Sequence, residues 1–255
     1  MKKITGMLAS AAILAAAGSA SAADMSFQNR PIMPAAPAFS WTAATPAPKA
    51  GSGQATRNGR TSIPPGDIDG NFGGNTANTD MSGALWGGQI GCDYQGGQWF
   101  LGGSWVLGVQ GMLAGSTVTG TNQDQFNATW ALRDHIDRVS SVTGRIGTTI
   151  ADRTLVYLRG GVAWAHNKFE IENTGFNLGV PTNTAMGWTI GTGIEYALTP
   201  SWSVFLETSY YDFGSHNVGF IGSPATANLP FTVKTSQTME TFQVGANYRF
   251  WGGRY

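Results

Sequence analysis

The chain has 255 residues and a formal net charge of zero, with only 12% of its residues charged. That balance excludes the basic surface that nucleic acid attracts, and so low a charge content falls below the roughly 25% of soluble domains. Glycine is abundant at 36 residues, yet aromatics reach 11% with nine Trp, which excludes a disordered chain.

The first segment reads as a leader. Lys2 and Lys3 precede an uncharged run from Ile4 to Ala23, and Ala20-Ser21-Ala22 fits the small-residue cleavage rule. A secretory signal peptide over residues 1–22 is expected. Without its two lysines the chain carries 13 basic and 15 acidic residues, a net of −2. No later segment approaches about 20 consecutive apolar residues. A membrane crossing would therefore need a closed barrel, the only non-helical structure that satisfies every backbone polar group in lipid.

Residues 23–81 hold most of the prolines, and PAAPAFSWTAATPAPKAGSG reads as a flexible or polyproline-like stretch. From Ser82 to Tyr255 strand patterns repeat. Seven strands are expected: Ala84–Tyr94, Trp105–Met112, Ser140–Ile150, Leu155–Phe169, Met186–Ala197, Trp202–Asp212 and Thr238–Phe250. The links alternate. QGGQ, ADRT and LTPS are short, whereas 113–139, 170–185 and 213–237 are long. Short turns on one side and long loops on the other are the pattern of an outer-membrane barrel. Bacterial barrels usually have an even number of strands, so an eighth is expected before Ala84. Ala38–Ala44 and Asp67–Ala77 are the two candidates.

Side-chain parity says which face is which. In GWTIGTGIEYA, Trp188, Ile190, Ile194 and Tyr196 share a face opposite Thr189 and Glu195. Val156, Leu158, Val162 and Trp164 oppose Tyr157 and Arg159. Val204, Leu206 and Tyr210 oppose Glu207, and Phe242, Val244, Tyr248 and Phe250 oppose Gln243, Asn247 and Arg249. Ile146 and Ile150 oppose Arg145; Trp86, Ile90 and Cys92 oppose Gln89 and Asp93. No helix pattern offers a second layer to cover the apolar face. The expected fold is all-β, an eight-stranded antiparallel transmembrane β-barrel with apolar residues outward, short periplasmic turns and long outer loops. Such a barrel would meet outer-membrane lipid and lipopolysaccharide, with Trp and Tyr in interface girdles.

Asp93, Arg145, Arg159, Glu195, Glu207 and Arg249 would then form a polar network in the lumen, which side chains about fill at eight strands. A Glu195–Glu207 pair resembles the carboxylates of a glycosidase, but arginines on the same face favour a salt-bridge role. His135, His166 and His216 lack metal-ligand spacing. Cys92, alone and on the apolar parity, reads as a small apolar filler. No catalytic, cofactor or metal site is expected.

The stretches SGALWGGQIGCDYQ, WVLGVQG, TGRIGTTIADRTLVYLRGGVAWA, GWTIGTGIEYALTPSWSVFLETSYYDFGS and FQVGANYRF resemble the small outer-membrane β-barrel family of immunogenic or porin-like proteins. The resemblance implies an eight-stranded barrel with both ends in the periplasm, inserted by the barrel assembly machinery. The chain departs from that pattern in three places. Trp41-Thr42 leads into AATPAPKAGSG rather than an aromatic first strand. Phe205 stands where a basic lumen residue is usual, and WGGRY follows Phe250. The expected role is a structural surface barrel with exposed loops at 115–134 and 213–229. The alternatives are a narrow channel for small solutes and a soluble periplasmic β-protein. The ligand is left open.

Overall fold

The computed structural model describes residues 39–62, 76–98, 103–123, 130–150, 153–173, 182–221 and 230–250. The leader lies outside them. Eight strands form one closed antiparallel barrel, each pairing with its neighbours in chain order and β1 closing on β8. They are β1 (Ala43–Ser62), β2 (Thr76–Gln98), β3 (Ser104–Gln123), β4 (Trp130–Ile150), β5 (Thr154–Asn173), β6 (Thr182–Ala197), β7 (Trp202–Ile221) and β8 (Pro230–Tyr248).

The first strand shares only Ala43 and Ala44 with the first expected segment; residues 67–75 of the second lie outside the described residues, and Thr76 and Ala77 open β2. β1 instead runs through the Pro/Gly stretch read as flexible, from Ala43 onward. The correction has a physical reason. Intrinsic β-propensity is weak, and packing against neighbours overrides it; β2 pairs with β1 continuously from Ala43↔Asp93 to Arg60↔Thr76. The prolines sit where the other edge is unpaired. On the β8 side an isolated bridge joins Ala44 to Phe250, and the ladder starts only at Lys49↔Gly245. Pro46 and Pro48 fall inside that gap, where a missing N–H breaks no ladder bond.

The long connections are also shorter than expected. Pairing continues to Gln123↔Ala131 between β3 and β4, to Lys168↔Thr182 between β5 and β6, and to Ile221↔Pro230 between β7 and β8. Much of 115–134 and 213–229 is therefore strand. The apolar alternation stops there, but the backbone ladder needs only a neighbouring strand. A bulge between Asp212 and Ser215 bends β7 on the way. Gly214 takes φ +64° there, and its N–H donates to Asp212 Oδ1 at 2.8 Å.

The outer wall is apolar. Trp86, Ile90, Leu158, Trp188, Ile190, Leu206, Phe242 and Val244 are all exposed on it. Aromatics recur on it at a spacing of eight residues: Trp86 and Tyr94 on β2, Trp188 and Tyr196 on β6, Trp202 and Tyr210 on β7, Phe242 and Phe250 across the end of β8. Eight residues extend about 26 Å, or about 20 Å along the normal at a tilt of about 40°, close to the apolar band of a membrane barrel. Two aromatic rows thus border the wall. The hairpins that continue past Tyr210 mark the upper end; the short turns mark the lower.

Candidate functional site: the barrel lumen

Inward-facing side chains stack in three layers. The lowest holds Trp41, Val106, Leu155, Tyr157 and Ala197, with Phe39 packed against them. Phe39 meets Trp41 edge-on at 5.2 Å. Trp41 is held by its N–H, which donates to Gln95 Oε1 at 2.7 Å, while the Gln95 N–H donates to Thr42 Oγ1 at 2.9 Å. Residues just before β1 thereby fold into the lower mouth.

The middle layer is charged. Arg145 grips Asp93 with two donors, Nε to Oδ1 at 2.6 Å and Nη2 to Oδ2, and its Nη1 donates to Glu195 Oε2 at 3.1 Å. Glu195 Oε1 accepts from Asn247 Nδ2 at 2.7 Å, from Arg249 Nη2 at 3.2 Å and from Ser203 Oγ. The Arg249 guanidinium lies 4.1 Å from the Trp41 ring centroid and 4.7 Å from that of Phe39, which ties this layer to the one below. A second group centres on Glu207. Its Oε1 meets Lys49 Nζ at 3.3 Å and Arg159 Nη1 at 2.9 Å, and its Oε2 accepts from Tyr157 OH at 3.2 Å. Arg159 Nη2 donates to Ser209 Oγ at 2.9 Å and Tyr211 OH at 3.1 Å. Gln89 bridges the groups: Lys49 Nζ donates to its Oε1 at 3.1 Å, Gln110 Nε2 donates to the same oxygen, and its Nε2 donates to Asn247 Oδ1 at 3.2 Å.

All six sequence-expected residues are buried in the lumen, and the structure divides them. Asp93, Arg145, Glu195 and Arg249 join in one group; Arg159 and Glu207 belong to the other. Lys49 was not among them. It lies in the stretch read as flexible, so its parity carried no meaning until β1 was placed. Its Nζ lies 5.9 Å from the Phe205 ring centroid.

The upper layer differs from a polar lumen. Met81, Leu85, Met112, Val118, Ile136, Val139, Tyr211, Phe213 and Met239 form a buried apolar cluster inside the wall. Tyr211 and Phe213 stack at 6.1 Å. Buried polar residues stand among them at the same height, Ser116, Ser141, Asn167, Thr235 and Gln237, so the upper layer mixes apolar and uncharged polar side chains while the buried charges keep to the middle layer.

The four carboxylate oxygens of Glu195 and Glu207 are all engaged by donors. His135 Nε2 lies 3.9 Å from Asp137 and His166 Nδ1 lies 3.1 Å from Thr184 Oγ1. Cys92 is exposed on the outer wall.

A closed wall with an apolar outside and a charged inside belongs in lipid, and sequence comparison agrees. The model of the outer membrane protein beta-barrel domain matches residues 9–250. The chain belongs to this outer-membrane β-barrel family. A 31 kDa outer-membrane immunogenic protein of Brucella melitensis is 30% identical over 185 residues, spanning 68% of this chain and 72% of that protein. Its counterpart in Brucella suis matches equally. The solved structure of the outer membrane protein OprG from Pseudomonas aeruginosa superposes with a TM-score of 0.52 at 11% identity, covering 82% of this chain and 97% of that one. That likeness shows the fold. The family member is an outer-membrane protein, and the alternative of a soluble periplasmic protein falls.

Proposed function

We propose that this family member is a structural, non-enzymatic barrel of the outer membrane whose lumen is closed to solutes by its own side chains. One observation carries the reading: Asp93, Arg145, Glu195, Asn247 and Arg249 link β2, β4, β6 and β8 across the lumen, and Arg249 rests on the Phe39 and Trp41 rings below. Side chains about fill an eight-stranded interior, and here they are tied to one another. The engaged carboxylates of Glu195 and Glu207 favour a structural role over hydrolysis. In this reading the upper end, where hairpins pass the aromatic row, faces outward among lipopolysaccharide and is the part available to other molecules. The short turns face the periplasm, from which the assembly machinery inserts the barrel.

Reconstitution into planar lipid bilayers tests this. No stepwise conductance is expected. A second reading, a narrow channel for small solutes, draws support from buried polar atoms without a protein partner, such as Thr143 Oγ1 and the Gln243 amide. It requires conductance steps that change on Arg145→Ala or Glu207→Ala, and such steps would overturn the closed lumen.

A further inference from the structure

Seven charged side chains are buried among the described lumenal residues: Lys49, Arg145, Arg159 and Arg249 against Asp93, Glu195 and Glu207. Four cations face three carboxylates, and the surplus has a location. Asp93, Arg145, Glu195 and Arg249 balance one another. Around Glu207 they do not, because Lys49 and Arg159 both converge on its Oε1. One positive charge is left over inside the wall, where an uncompensated charge is strongly disfavoured.

Unpartnered polar groups belong to the residues around this group. Arg159 Nε is buried without a hydrogen-bond partner, and so are the donor Nε2 and the acceptor Oε1 of the Gln243 amide. Gln243 is the direct strand partner of Glu207. Thr143, whose hydroxyl is also unpartnered, is the next inward residue along β4 from Arg145, itself the strand partner of Arg159. Buried polar groups nearly always find a partner. A charge surplus and idle N–H donors on Arg159 and on Gln243, the strand partner of Glu207, share one remedy.

We propose that the lumen binds one small monovalent anion of the halide class beside Arg159, received by Arg159 Nε and the Gln243 amide, which balances the Lys49–Glu207–Arg159 group. The anion is monovalent because the surplus is one charge. It is small because side chains nearly fill a lumen of this size. The site goes beyond the closed-lumen reading and does not rest on it, since a conducting barrel would carry the same surplus.

The test is a bromide titration of the folded full chain in non-ionic detergent, with gluconate holding ionic strength constant. The thermal midpoint is read by Trp fluorescence, and crystals grown in bromide are examined for anomalous scattering. The midpoint is expected to rise saturably with bromide, with an anomalous peak within about 3.5 Å of Arg159 Nε. Lys49→Gln, which neutralises the lumen, is expected to abolish the bromide dependence. Gln243→Leu leaves the charges in place and is expected to need about tenfold more bromide; it decides the matter if Lys49→Gln fails to fold. A wild-type midpoint indifferent to bromide, as when Lys49 sheds the surplus as a proton, would overturn the site. So would anomalous peaks confined to the outer surface.

Discussion

Arg145 and Arg159 stand directly opposite each other on β4 and β5, yet their guanidinium groups serve different carboxylates. Arg145 turns to Asp93 and Glu195, and Arg159 turns to Glu207. Like charges paired across a ladder repel. Each is held apart here by its own partners on other strands, which closure of the barrel brings across the lumen.

Glu195 has the most partners in that network. Removing its carboxylate leaves Arg145 with Asp93 alone and takes Arg249's carboxylate partner away. Breaking a buried pair in this way costs about 3–5 kcal/mol. Glu195→Ala is expected to lower stability by that amount in urea unfolding of the micelle-bound barrel. Glu195→Gln, which keeps hydrogen-bonding capacity, is expected to lose less. Equal stability of wild type and Glu195→Ala would mean the network contributes nothing.

Two glycines should respond in opposite directions. A Cβ at Gly193 would stand 2.5 Å from Tyr157 Cζ and Oη, the hydroxyl that donates to Glu207. Gly193→Ala should cost about 1–3 kcal/mol through overpacking. At Gly111 nothing lies within 4 Å of an added Cβ. Gly111→Ala should stabilise the strand by about 0.5 kcal/mol, since Ala loses less backbone entropy. Paired unfolding curves of the two variants check both signs.

Leu206 lies midway between Trp202 and Tyr210 on the outer wall and is 42% exposed. A cation there would sit near the middle of the lipid band. Leu206→Arg is expected to destabilise by about 2–4 kcal/mol, and Tyr210→Arg at the border by about 0–1 kcal/mol. Reversible unfolding in lipid vesicles would measure both. Equal costs would show that the two aromatic rows do not border the bilayer.

Cys92 is exposed on the same wall, two residues from Tyr94. A lipophilic maleimide is expected to modify it in intact membranes, and a charged, impermeant one only after unfolding. Mass spectrometry of the two reactions reads the result. Rapid labelling of the folded barrel by the charged reagent would place Cys92 in water rather than lipid.

Much of the wall was legible in the sequence. The lipid-facing parity of β2, β5, β6, β7 and β8 was plain because large apolar side chains alternate with charged or small ones along each strand. The six charged residues could be assigned inward on the same ground. β1 was not legible. Ala44, Pro46, Pro48 and Ala50 face outward there, too small to make an alternation visible, so Lys49 among them looked like a charge in a linker. The extensions of β3, β4 and β7 were hidden for a related reason. Past the aromatic row lipid no longer demands an apolar face, and the backbone pairs without advertising it in side chains.

The sequence by itself determined the wall. A strand in lipid must alternate, because successive side chains point to opposite sides and only one side is wet or packed. Only the tertiary structure decided what fills the lumen. Its contacts join residues far apart in the chain, such as Lys49 with Glu207 and Arg145 with both Asp93 and Glu195. Those meetings depend on strand register and on closure of β1 against β8. Hydrogen bonding between neighbouring strands sets both, and no periodicity within a single strand records it.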